Sequence, residues 1–126
     1  MQVYNHDFRQ LNEEGEMKIR PRPERDVIRS ITQYLRLWGW DVYRINNAGV
    51  WNAKARHGKG AWIFHGTPGV SDLIAIKNDR MIFIECKSEH GKVSPEQQEF
   101  LDKISNVKHV QGCIARRIED VPTRGD

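Results

Sequence analysis

The stretch Gly69-Val-Ser-Asp-Leu-Ile-Ala-Ile-Lys-Asn-Asp-Arg-Met-Ile-Phe-Ile-Glu-Cys-Lys87 limits what this chain can fold into more than any other part of it. Two short apolar runs separated by Asn78-Asp79 read as strands of an antiparallel hairpin. Alternate residues of a strand share a face, so Met81, Phe83, Glu85 and Lys87 point one way and Ile82, Ile84 and Cys86 the other. Asp72 opens the first strand, while Glu85 and Lys87 close the second. Placing two carboxylates and an ammonium on an apolar sheet costs several kcal/mol unless each charge is paired or holds a metal. The fold has to bring these charges together or expel them.

With 126 residues, 38% of them hydrophobic and 29% charged, the chain suits one globular domain. A net charge of +3 permits a nucleic-acid partner without requiring one. No apolar run approaches a membrane span, and the N-terminus has no signal-peptide core, so the expected location is cytoplasmic. Cys86 and Cys113 have no paired spacing and read as reduced core thiols.

Taken in order, residues Met1 to Arg20 show no sustained period and read as an N-terminal arm, with the domain proper spanning 21–126. After Arg20-Pro-Arg-Pro, Val27, Ile28, Ile31, Tyr34, Leu35 and Trp38 recur at helical spacing from Glu24 to Trp38, and Gly39 follows as a C-terminal cap. Glu24 continues the apolar stripe toward the sheet. It also suits the positive end of the helix dipole, and the sequence leaves both roles open. Trp40 to Ile45 alternates as a strand, with Tyr43 and Ile45 opposite Val42 and Arg44, and Asn46-Asn-Ala-Gly49 breaks it.

Val50 to Gly69 reads as a long loop, rich in glycine, with Lys54, Arg56 and Lys59, no acidic residue, and Trp51 and Trp62 at its flanks. Positive charge beside aromatics suits phosphate tracking and base stacking. The plainer alternative is a solvated loop whose tryptophans cap the core. His57 and His65 fit no zinc spacing and read as surface or hydrogen-bonding residues. Beyond the hairpin, Ser88 to Val93 is a polar turn. Ser94-Pro-Glu-Gln97 opens a second helix with a capping box, and Phe100, Leu101 and Ile104 form its buried stripe. A last strand from Lys108 to Arg116 precedes a charged tail. The fold class that follows is α/β, a mixed sheet flanked by helices, because the last strand comes after a helical crossover and can lie parallel to its neighbour.

Phosphodiester hydrolysis needs an activated water and a stabilised leaving oxygen, which Mg2+ or Mn2+ held by one or two carboxylates supplies. Asp72 and Glu85 are placed for the metal, and Lys87, on the face of Glu85, for the attacking water or the developing phosphate charge. Asp72 followed by Glu85-Cys-Lys87 resembles the Asp...Glu-X-Lys signature of the restriction-endonuclease-like, PD-(D/E)XK, nucleases. Gly66-Thr-Pro-Gly-Val-Ser-Asp72, Ile84-Glu-Cys-Lys-Ser88 and Ser94-Pro-Glu-Gln-Gln-Glu-Phe100 together resemble the virus-type replication-repair nuclease family, VRR-NUC, over Glu24 to about Arg116.

The resemblance implies an αβββαβ core. It implies that Asp72, Glu85 and the Cys86 backbone carbonyl bind Mg2+ or Mn2+, that Lys87 is the catalytic lysine, and that Glu24 joins the site, with Glu24 also a candidate ligand. The family's second-helix glutamine falls on Gln97, which the capping box also claims, and the expectation is that only one use holds at a time. Ser71 stands where many members carry proline. The resemblance further implies a stand-alone phage or bacterial enzyme, homodimeric and cutting four-way (Holliday) junctions in DNA repair. Lys54, Arg56, Lys59, Arg44, Trp51 and Trp62 are the candidate DNA-binding residues. The competing readings are a non-catalytic nucleic-acid-binding module and a protein-interaction domain of a recombination complex.

Overall fold

Helix formation between two prolines and a glycine, and strand formation around one Asn-Asp turn, account for most of the architecture. The computed structural model describes residues 9–11, 17–19, 22–45, 49–64 and 67–123. Helix α1 spans Glu24–Leu37; Pro23 is its N-cap, and Gly39 just past its end takes the left-handed conformation at φ +88°. Val27, Ile28, Ile31 and Leu35 of its stripe are buried, whereas Trp38, at the cap, is exposed. Within the predicted arm, β1 (Arg9–Leu11) and β2 (Met17–Ile19) pair antiparallel.

The central sheet is built from β3 (Asp41–Arg44), β6 (Leu73–Lys77), β7 (Arg80–Cys86) and β8 (Val110–Ala115), in the order β3-β6-β7-β8. Between β3 and β6 the chain forms a separate two-stranded sheet, β4 (Gly49–Asn52) and β5 (Ala61–Phe64). The Asn78-Asp79 turn makes β6 and β7 antiparallel, with Asn78 at φ +55°. β8 follows α2 (Pro95–Ile104) and lies parallel to β7, with Ile84 beside Cys113 and Glu85 beside Ile114.

The two faces of β7 meet different helices. Ile82, Ile84 and Cys86 are fully buried in the core with α1's Val27, Ile28, Ile31 and Leu35, with Leu73, Ala75 and Ala115, and with Trp40 and Val42. Each large aliphatic side chain buried there contributes about 1.5–3 kcal/mol. On the other face Phe83 meets Phe100 of α2 edge-on, ring centroids 5.4 Å apart. Gly112, opposite Phe83, makes room for that helix, since a Cβ there would come within 3.0–3.1 Å of Leu101 and Ile104. Glu85 therefore shares its face with α2.

One sequence expectation is corrected here. Val50 to Gly69 is not a continuous loop: twenty residues without acid or strong alternation conceal a hairpin whose cross-strand pair is Trp51 and Trp62. The start of the charged tail carries structure that the sequence reading did not describe. Ile118–Asp120 forms a 3-10 turn, and Val121 and Thr123 beyond it are buried. Arg80 holds this segment by donating to the Pro122 carbonyl (3.2 Å) while its guanidinium lies 5.4 Å over the Trp40 ring.

Candidate active site

Asp72 precedes β6 as Glu85 ends β7, and antiparallel pairing of Leu73 with Ile84 sets these acids side by side. Two backbone links lock the corner. The Asp72 carboxylate accepts the Cys86 N–H (Oδ2, 2.8 Å), and its carbonyl accepts the N–H of Ile45 just past β3 (2.8 Å). Cys86 needs this cap for a topological reason. Met81 and Lys87 donate their N–H groups to His109 and Ala115 on the β8 side, so even-numbered residues of β7 face β6, and β6 starts only at Leu73.

Glu85 is only 3% exposed. Its Oε1 accepts from the Gln97 side-chain nitrogen (2.7 Å) and lies 3.6 Å from the Lys87 ammonium, itself 12% exposed. Burial, then the Asp72 charge, pushes the Glu85 carboxyl up from 4.5 to about 8, and a hydrogen bond with Asp72 and the charge of Glu24 act in the same direction. Lys87 opposes them. Burial and the neighbouring negative charge thus favour the protonated form of Glu85.

Gln97 corrects the expectation of exclusive use. Its Oε1 accepts the Ser94 N–H (2.9 Å), its own N–H donates to Ser94 Oγ (3.1 Å), and its NH2 group turns to Glu85. An amide has an acceptor end and a donor end, so the helix cap and the site are served together. Gln97→Glu keeps a residue suited to the capping box but replaces the donor with a second carboxylate. The expected result in EDTA is retained helix content by circular dichroism and a Tm that falls relative to wild type between about pH 5 and about pH 8, because a carboxylate then faces Glu85 where a donor stood; parallel Tm curves would show that Gln97 serves the cap alone.

Gly69 joins α2 to this corner. It is left-handed at φ +92°, and a Cβ would meet the Glu96 carbonyl oxygen at 2.5 Å, so only glycine lets Val70-Ser-Asp72 pass against the first turn of α2. Gly69→Ala is expected to destabilise the fold by about 1–3 kcal/mol, measured by urea unfolding. Ser71 is fully buried, with its hydroxyl on the Leu73 carbonyl (3.3 Å).

Glu24 is exposed at the first turn of α1, yet it stands close enough to the corner to feel it. Partial burial, then Asp72, raises its carboxyl, and Lys87 and Arg44 pull it down. Both sequence roles, dipole partner and site neighbour, are compatible with that position. Arg44, paired with Leu73 at the end of β3, belongs to this corner. Lys54, Arg56 and Lys59 lie instead in the exposed turn between β4 and β5. His57 is exposed there too; His65 lies outside the described residues. Cys86 and Cys113 are free thiols. Burial pushes both up, Cys113 to about 12, which keeps them protonated and inert.

Arg116 was not anticipated. Its Nη1 donates to the carbonyls of Ser88 (2.5 Å), Glu89 (3.1 Å) and Gly91 (2.9 Å), fixing the turn that leads from Lys87 to α2. A lone arginine at the end of a strand carries no sequence signal for this role.

A mixed four-stranded sheet with a helix on each face, and two carboxylates and a lysine where its strands end, defines a restriction-endonuclease-like domain. The family model of the VRR-NUC domain matches residues 24–115. The chain belongs to the VRR-NUC family, and nuclease function in general terms follows from that membership. The match runs from the first residue of α1 to the last of β8 and includes the β4–β5 hairpin. No curated protein and no solved structure matches the chain.

Proposed function

We propose that this protein is a divalent-metal-dependent DNA endonuclease selective for branched DNA. One observation carries the reading: Glu85, only 3% exposed, is set beside Asp72 by the β6–β7 pairing with the Lys87 ammonium 3.6 Å away. A protein that used these acids only structurally would gain more from an apolar pair.

The donor set fits Mg2+ or Mn2+. Asp72, Glu85 and the Cys86 carbonyl, which emerges beyond the end of the β6 ladder, are oxygen donors of the kind these ions prefer. Among the described residues no three His, Cys, Asp or Glu side chains form a ready-made metal cluster. When bound, the ion supplies Lewis acidity toward the phosphate and its leaving oxygen. The chain's own residues do the rest. Gln97 orients Glu85 through their hydrogen bond, and Asp72 is oriented by the Cys86 N–H. Lys87 holds the attacking water and stabilises charge on the phosphate, while Glu24 and Arg44 border the approach.

Action on four-way junctions by a homodimer is the finer part of the proposal, since two sites related by two-fold symmetry match two equivalent strands. Residues 1–20 are proposed as an arm outside the catalytic domain. No helix among the described residues is long and apolar enough to cross a membrane.

The test is a panel of four-way junction, flap, single-stranded and duplex DNA with Mg2+ and Mn2+. The expected result is preferential cutting of branched substrates that EDTA abolishes. If every substrate stays intact with both ions, the enzymatic reading is lost.

A further inference from the structure

The β4–β5 hairpin is not part of the catalytic corner, and its features need their own explanation. Trp51 and Trp62 face each other across the strands, with centroids 5.7 Å apart and planes at 68°. They remain 52% and 60% exposed, so neither caps the core, as the plainer sequence alternative would have it. Trp40, by contrast, is buried at 2%. An edge-to-face aromatic pair across two strands contributes about 0.5–1.5 kcal/mol to its hairpin, but it leaves a large apolar surface in water here, which marks an interaction site.

Trp51 is also held in place. Gly60 is buried at φ +83°, and a Cβ there would lie 2.1 Å from the Trp51 ring, so the indole rests directly on the Gly60 backbone. Between the tryptophans the turn is closed by the Gly60 N–H on the Ala55 carbonyl (2.9 Å) and the Lys59 N–H on the Arg56 carbonyl (3.2 Å). It displays Lys54, Arg56 and Lys59, all exposed, and residues 49–71 contain no acidic side chain. The hairpin thus combines a packed aromatic pair with a positive tip that has no acidic residue in its own segment, which complements a stacked base followed by phosphates.

We propose that this hairpin is a stacking finger for unpaired nucleotides, with Trp51 and Trp62 taking a base and Lys54, Arg56 and Lys59 its flanking phosphates. Duplex DNA offers the tip its backbone but keeps its base faces covered, so the finger selects substrates with single-stranded or branch-point nucleotides. This rests on the reading of the chain as a DNA nuclease and gives that reading a source of selectivity outside the metal corner.

The experiment is titration of the full chain with a thymidine oligonucleotide, and separately with a blunt duplex of equal length, in EDTA so that no cleavage intervenes. Tryptophan fluorescence and anisotropy of labelled DNA are the readouts. Trp51→Ala and Trp62→Ala are each expected to weaken single-strand binding about tenfold and to leave duplex binding nearly unchanged. Trp51→Phe, which keeps a ring against Gly60, recovers most of the loss and stands in for Trp51→Ala if that variant misfolds by circular dichroism. The triple change Lys54→Ala, Arg56→Ala, Lys59→Ala weakens both ligands and reduces the salt slope by about three.

Equal losses on single strand and duplex, or no loss in folded Trp62→Ala, would overturn the proposal. So would a Trp62→Ala protein that sediments as a smaller species with unchanged single-strand affinity, because the hairpin would then join two copies of the chain. The two readings fail separately. A protein that stacks bases in EDTA but never cuts with Mn2+ loses the nuclease reading, and one that cuts without stacking loses the finger.

Discussion

Lys87→Ala is expected to slow Mn2+-supported cleavage of branched DNA by about 10²–10⁴-fold, the range for removing a positioned acid–base or charge-stabilising group. The expectation rests on placement: the backbone of Lys87 is pinned by its N–H on the Ala115 carbonyl (3.0 Å), and its ammonium reaches to 3.6 Å from Glu85. Neither contact is needed to fold the sheet, since Ile82, Ile84 and Cys86 on the other face supply the buried core of β7. The variant should therefore bind junction DNA with wild-type affinity in EDTA. Lys87→Arg should not rescue it, because a planar guanidinium is larger than an ammonium and presents its donors in a fixed fork. Cleavage by Lys87→Ala at the wild-type rate would remove the lysine from the mechanism.

Asp72→Asn is expected to have the second large effect, and one with a pH signature. The asparagine retains an oxygen for the Cys86 N–H but removes one of the two charges proposed to hold the metal, so calorimetric Mn2+ affinity should collapse. In the metal-free protein the effect has the opposite sign. Glu85 has a folded pKa raised from 4.5 to about 8. A raised carboxyl contributes stability that is fully present below 4.5 and is lost as pH rises toward about 8. Asp72 is the largest charged contributor to that shift, after burial. Asp72→Asn should accordingly lessen the loss, so that its Tm relative to wild type improves between pH 5 and pH 8 in EDTA. Each kcal/mol relieved corresponds to about 4 °C in a domain of this size. Parallel Tm curves for the two proteins across that range would show that the two carboxyls do not interact.

Much of this site is legible in the residues because its geometry is local. Asp72 and Glu85 belong to one hairpin, and a two-residue turn fixes which residues of its strands are opposed. The capping box is equally local: Ser94 and Gln97 are three residues apart and form it as expected. What was illegible involves distance or conformation. Nothing in the spacing of Gln97 shows that its unused NH2 would find Glu85. The bond between them depends on Gly69 letting α2 approach the β6 entry, and on Gly112 letting it settle against β8. Arg116 reaching three carbonyls near Lys87 is likewise a product of the parallel β7–β8 pairing.

The β4–β5 hairpin escaped the sequence reading for a different reason. Its strands are four residues each, and the turn between them is too long and too rich in glycine for a standard short hairpin signal. The basic charges and tryptophans were visible; their shared face was not.

By itself the sequence determined the two helices, the four strands of the central sheet with their charged hairpin, and the family, because periodicity, turn chemistry and short motifs act over a few residues. Only the tertiary structure decided that one glutamine serves two masters, that Trp51 and Trp62 form an exposed pair, and that burial beside Asp72 raises Glu85. Those outcomes depend on packing between segments far apart in the chain, where the approach of backbones and the exclusion of water set the energies.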